Sequence, residues 1–79
     1  MKYILFQSPG SDFPVLFPDH VEHVFIRNSI VNEYPGCKPV SAGFCSKGGE
    51  VWGESRGIVL KSNPDDSWFI KKTLGIDTN

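Results

Sequence analysis

An excess of charge of either sign is missing from this sequence: eight Lys and Arg stand against nine Asp and Glu, for a net charge of −1. The bases are scattered singly apart from Lys71-Lys72. No electrostatic footprint for phosphate backbones results, and nucleic acid is a disfavoured partner. Long apolar runs are missing as well. None approaches the roughly 18 residues of a membrane span. The first residues also lack the apolar stretch and small-residue cleavage site of a signal peptide, which points to a cytoplasmic protein with no membrane partner. Cysteine is scarce. Cys37 and Cys45 fit either two reduced thiols or one disulfide, and with nothing to indicate secretion, free thiols are expected.

What the 79 residues do contain is apolar surface, 39% of the sequence. That is too much for a disordered chain, and the chain is too short for two cores, so one small domain over 1–79 is expected. A domain of this size hides only about 60–65% of the surface its unfolded chain exposes. Each large side chain therefore matters. Ten are aromatic, and each can bury on the order of 150–250 Å².

Turn formers divide the chain. Residues 2–7 (KYILFQ) and 13–17 (FPVLF) are short β-branched or aromatic runs separated by Ser8-Pro9-Gly10-Ser11-Asp12, the pattern of a β-hairpin. Pro14 cannot donate a ladder hydrogen bond, which puts the second strand at a sheet edge or begins it after that residue. Asp19 and Glu22 have the spacing of a capping box, predicting a helix over about 20–33 that Tyr34-Pro35-Gly36 stops. Its β-branched residues, Val21, Val24, Ile26, Ile30 and Val31, would also suit a strand.

Residues 38–45 alternate Val40, Ala42 and Phe44 with Ser41, Gly43 and Cys45, as in a strand with one face on the core. Ser46-Lys47-Gly48-Gly49 turns the chain into a long run over 50–61, where Gly53 and Gly57 mark a bulge or bend. Asn63-Pro64-Asp65-Asp66 is a helix start, with Asn as N-cap, Pro at the first helical position and acids at the positive end of the dipole. Lys71 and Lys72 fall in the last turn and Gly75 suits the C′ position. The order is ββαββα: an α+β domain with a mainly antiparallel four-stranded sheet and two helices packed on one face.

The segments Phe17-Pro18-Asp19-His20, Ser41-Ala42-Gly43-Phe44, Gly53-Glu54-Ser55 and Leu60-Lys61-Ser62-Asn63-Pro64-Asp65-Asp66 together resemble a type of small uncharacterised protein found in phages and prophages. The resemblance runs over most of the chain. It supplies no catalytic residues to carry over and implies an accessory protein that acts by binding a host component; no cofactor is expected.

Few constellations carry chemistry. His20 and His23, three residues apart, could be joined by Cys37 or Cys45 in a zinc site, but no Cys-x2-4-Cys knuckle exists and solvated histidines are the simpler reading. The same cysteines with either histidine and Asp19 or Glu22 could form a nucleophilic set. Gly53-Glu54-Ser55-Arg56-Gly57 lacks the following helix that a nucleophile elbow needs. Gly48-Gly49 is too short for a phosphate-binding loop. No enzymatic activity is expected.

Surfaces say more. On the first helix Val21, Val24, Phe25 and Val31 group on one side, while Ile26, Ile30 and Tyr34 form a second stripe that needs another neighbour. On the second helix Phe69, Ile70, Thr73 and Leu74 share a face and Trp68 projects away beside Lys72. A Trp outside the core stripe is a candidate hot spot, unless a loop or the chain near Ile76 covers it. The expected function is a non-enzymatic protein-binding domain, an inhibitor or modulator of a host protein encoded by a phage. The partner-binding candidates are Trp68, Lys72, Ile26, Ile30 and Tyr34, and a homodimer is the other use of the same stripe. Two alternatives are weak single-stranded nucleic-acid binding through Trp52 and Tyr3 with Arg56, Lys38 and Lys61, and metal or thiol chemistry at His20, His23 and the cysteines.

Overall fold

The computed structural model describes residues 1–76. It opens on the expected hairpin: β1 (Lys2–Gln7) pairs antiparallel with β2 (Asp12–Phe17) across the 8–11 turn. Helix α1 (His23–Glu33) follows, then β3 (Lys38–Cys45), β4 (Val51–Trp52), β5 (Glu54–Ser55), β6 (Leu60–Lys61) and helix α2 (Asp66–Thr73). The main sheet runs β2-β1-β3-β4, antiparallel throughout, and β5 with β6 makes a separate two-stranded ribbon. The α+β class and the four-stranded antiparallel sheet with two helices are as expected.

The placement of the helices is not. Strand side chains alternate between faces, and in β1 both sets are buried. Ile4 and Phe6 join Phe17, Ala42 and Ile58 in one core, against which Val24, Ile26, Ile30 and Val31 of α1 pack. Tyr3 and Leu5 point the other way, into a second core with Cys45 and Ile70 of α2. The two helices therefore cover opposite faces of the sheet, not one. A central strand buried on both sides reads as a continuous apolar run rather than an alternation, which Tyr3-Ile4-Leu5-Phe6 is.

Pro14 lies in the edge strand, where the sequence placed it. The Ser8 N–H donates to the Ser11 carbonyl at 3.1 Å. By the antiparallel alternation, residues 13, 15 and 17 then bond inward to β1 and residues 12, 14 and 16 aim their backbone groups outward. Pro14 thus removes a donor from the free edge, which blunts it against pairing with another strand.

Helix α1 starts three residues later than expected, at His23, with Glu22 as an N-cap that makes no side-chain capping bond. Asp19 does not cap it. Its carboxylate holds the Met1 ammonium at 2.9 Å, and residues 18–21 form a turn closed by the Val21 N–H on the Pro18 carbonyl. His20 consequently lies outside the helix and shares no helical face with His23. The two-stripe reading fails too. His23 is buried, Ile26 and Ile30 flank it on the core side, and Phe25 is the residue turned out, 67% exposed. Treating His23 as a surface residue had split one broad face into two.

The 50–61 run bends more than a bulge would require and becomes β4, β5 and β6. Gly53 adopts φ +78° at the first break, and a Cβ there would sit 2.9 Å from the Phe44 ring. The second break is the turn at 56–59, where Val59 takes φ +56°, unusual for a β-branched side chain. That turn leaves Val59 exposed and sends Ile58 into the α1-side core.

Regular helix α2 starts at Asp66, two residues after the predicted Pro64, and its N-cap Asp65 makes no side-chain capping bond; the hydrogen bonds expected of Asn63 form in the turn before it. The Asn63 Oδ1 accepts from the Asp65 N–H and the Asp66 Oδ2 accepts from the Asn63 N–H, both at 3.0 Å. The two bonds make a reciprocal pattern like that of a capping box, in the turn that leads into the helix. At the other end Gly75 has φ +77°. The Ile76 N–H reaches the Lys71 carbonyl and the Gly75 N–H the Lys72 carbonyl, a Schellman motif.

Candidate functional site

Trp68 and Lys72 stand one helical turn apart on the outer surface of α2, where the structure brings them together. The Lys72 Nζ sits 4.7 Å from the centre of the Trp68 ring, and Phe69 meets that ring edge-on at 5.0 Å. Trp68 remains 49% exposed, so among the described residues neither a loop nor Ile76 covers it. Phe69 belongs partly to the core under α2. The indole is therefore held by a fixed neighbour on one side and a cation on its face.

Facing these residues is the edge of the sheet. Trp68, Phe69, Lys72 and Thr73 form one wall of a groove of about 490 Å³, and Ser11, Asp12, Phe13 and Pro14 form the other. Asp12 and Pro14 share the strand face that looks toward α2, as Leu16 does. The sequence reading had missed Asp12, Pro14 and Phe69. The available signal was Pro14: a proline in an edge strand has no N–H to offer a neighbouring strand, which leaves its carbonyl and its ring for contacts.

Tyr34 lies elsewhere. It is exposed where α1 ends and lines a hollow of about 420 Å³ with Ser8, Ser11, Phe13 and Cys37. Ser11 and Phe13 line both hollows, so Tyr34 and Trp68 flank the β1–β2 turn from opposite sides. Ile26 and Ile30 are not brought to this surface, because they pack on the core beneath α1.

The alternative constellations come apart. Tyr3 is fully buried and its hydroxyl donates to Asp66, so it cannot stack on a base, while Trp52 stacks on Phe44 at 6.3 Å. Both cysteines are free thiols. Cys45 belongs to the α2-side core, where burial raises its pKa and disfavours the thiolate, and Cys37 packs against the other core. Among the described residues no three His, Cys, Asp or Glu side chains gather as metal ligands would, and no helix is long and apolar enough to cross a membrane.

His23 has a structural task instead. Its Nε2 lies 3.1 Å from the Gly43 carbonyl, and the rings of Phe17 and Phe44 stand edge-on to it at 5.2 and 6.2 Å. Burial lowers its pKa first and the Lys2 charge adds to that, against the upward pull of the Gly43 and Tyr3 carbonyls and Glu22. The folded chain therefore holds a neutral imidazole. Because the folded pKa lies below the unfolded one, the associated stability is full above about pH 6.5 and is lost as pH falls through the folded value. Urea midpoints for the wild type should fall between about pH 7.5 and pH 5, and the fall should shrink in His23→Gln. An equal fall in both proteins would remove His23 as its source.

No family model matches this chain, and neither a curated protein nor a solved structure does. What fold and surface together define is an α+β domain with a helix on each face of its sheet and an aromatic groove at one sheet edge.

Proposed function

We propose that this protein is a non-enzymatic protein-binding domain whose contact surface is the groove between α2 and β2. The observation that carries this reading is the half-exposed Trp68, braced by Phe69 and Lys72 beside an edge strand that Pro14 blunts. Rigid aromatic anchors flanked by charge are the residues that dominate protein–protein contacts. The blunted edge favours side-chain docking over strand addition. The resemblance to small phage proteins supports a host protein in the cytoplasm as one occupant, with this chain as its inhibitor or modulator.

The test is affinity capture from a host lysate with the wild type, Trp68→Ala and Phe25→Ala, the last changing an exposed ring on the other helix. A stoichiometric protein retained by the wild type and Phe25→Ala and lost with Trp68→Ala is the expected result. The same set of proteins on all three baits would overturn the reading.

A further inference from the structure

The two walls of the groove carry matched pairs of side chains. On β2, Asp12 and Pro14 share the face toward α2, two strand residues and therefore about 6.5 Å apart. On α2, Trp68 and Lys72 are neighbours along one helical ridge, the Lys72 ammonium lying 4.7 Å from the centre of the Trp68 ring. Each pair joins an apolar group to a charged one, and the two pairs carry opposite charge. Within one molecule the charges do not meet: the ion pair among the described residues is Met1 with Asp19.

A patch that bears both signs fits neither an acidic nor a basic partner well. It fits itself, because a two-fold interface uses the same surface on both subunits and must complement itself across the axis. We propose that the groove is the interface of a homodimer, in which Trp68 and Lys72 of each copy dock on Pro14 and Asp12 of the other. Pairing of the two β2 edges is not the mode, since the central outward position of that strand lacks an N–H. The low net charge of −1 leaves little self-repulsion to oppose association. This inference rests on the groove being the contact surface and adds a regulation to it: the dimer covers Trp68, so any other protein that takes the groove must first dissociate it.

Sedimentation velocity over the micromolar to millimolar range tests the proposal, with circular dichroism to establish that each variant folds. The wild type should shift from monomer to dimer with concentration. Asp12→Lys and Lys72→Asp should each weaken the dimer at least tenfold, and the double reversal should restore it, because swapping both charges recreates the pair. A wild type monomeric throughout, or a double reversal no better than the singles, would overturn the homodimer. A monomer whose captured partner still depends on Trp68 sinks self-association alone, whereas a monomer with Trp68-independent capture sinks the contact surface as well.

Discussion

Ile70→Ala should lower the stability of this protein by about 2–5 kcal/mol, the range for truncating a fully buried aliphatic side chain. Ile70 has no exposed surface and closes the core that Tyr3, Leu5 and Cys45 form on the α2 side of the sheet. For a chain of this length total stability is on the order of 4–12 kcal/mol, so the loss is a large fraction of the whole. Urea denaturation measures it, with an unchanged m value showing that stability alone has moved. A cost below about 1 kcal/mol, as for a surface site, would mean that α2 is not packed where the structure puts it. Ile30 sits under α1 on the other side of the sheet. Ile70→Ala and Ile30→Ala should therefore add to within about 0.5 kcal/mol, as separated sites do. Strong coupling between them would mean one shared core, with both helices on one face.

Asp66→Ala should cost on the order of 3 kcal/mol, more than Tyr3→Phe, because it orphans two donors at once. The Asp66 carboxylate is buried and accepts both the Tyr3 hydroxyl from β1 and the Asn63 N–H at the helix start. Its removal leaves a buried phenol without an acceptor and takes away half of the reciprocal pair before the helix. Tyr3→Phe deletes one hydrogen bond and leaves Asn63 as a partner for the carboxylate. Alkaline pH separates the two roles. Burial raises the Tyr3 pKa, and its hydrogen bond to Asp66 and the nearby Asp66 charge raise it further. The folded phenol keeps its proton where the unfolded one loses it. That stability is complete below about pH 10 and declines as pH rises beyond it. Wild-type urea midpoints should drop from about pH 9 to pH 11 more steeply than those of Tyr3→Phe. Parallel drops in both proteins would exclude Tyr3 as the titrating group.

The parts of this fold that were legible in the sequence are those decided within a few residues. The 8–11 turn, the stop after Glu33, the 38–45 strand and the Asn63 and Gly75 ends of α2 depend on backbone preferences and short-range hydrogen bonds that the residues carry with them. Pro14 belongs here too, because a missing N–H restricts a strand to an edge whatever its neighbours are. At the site, Trp68 and Lys72 were legible because a helical projection that puts Ile70 inward leaves Trp68 outside.

What local pattern could not supply were the partners. Asp19 and Glu22 have capping spacing, yet Asp19 is taken by the Met1 ammonium, a group distant in sequence. His23 looked like a surface residue until the Gly43 carbonyl and two aromatic rings gave it a buried place, and with it Ile26 and Ile30 turned inward. The 50–61 run had the composition of one strand, but sending Ile58 into the α1-side core required two breaks, at Gly53 and Val59.

The sequence by itself determined an α+β domain, its hairpin, its edge strand and the exposed aromatic on its last helix, since propensity, capping and a missing donor act locally. The tertiary structure decided that β1 is buried on both faces, that the helices lie on opposite sides of it, and that Trp68 faces Asp12 and Pro14 across a groove. Those are meetings between residues about twenty or more positions apart, and more than fifty where α2 is concerned. Which of the two faces of a strand a helix covers depends on the path of the intervening chain, and no window of neighbouring residues contains it.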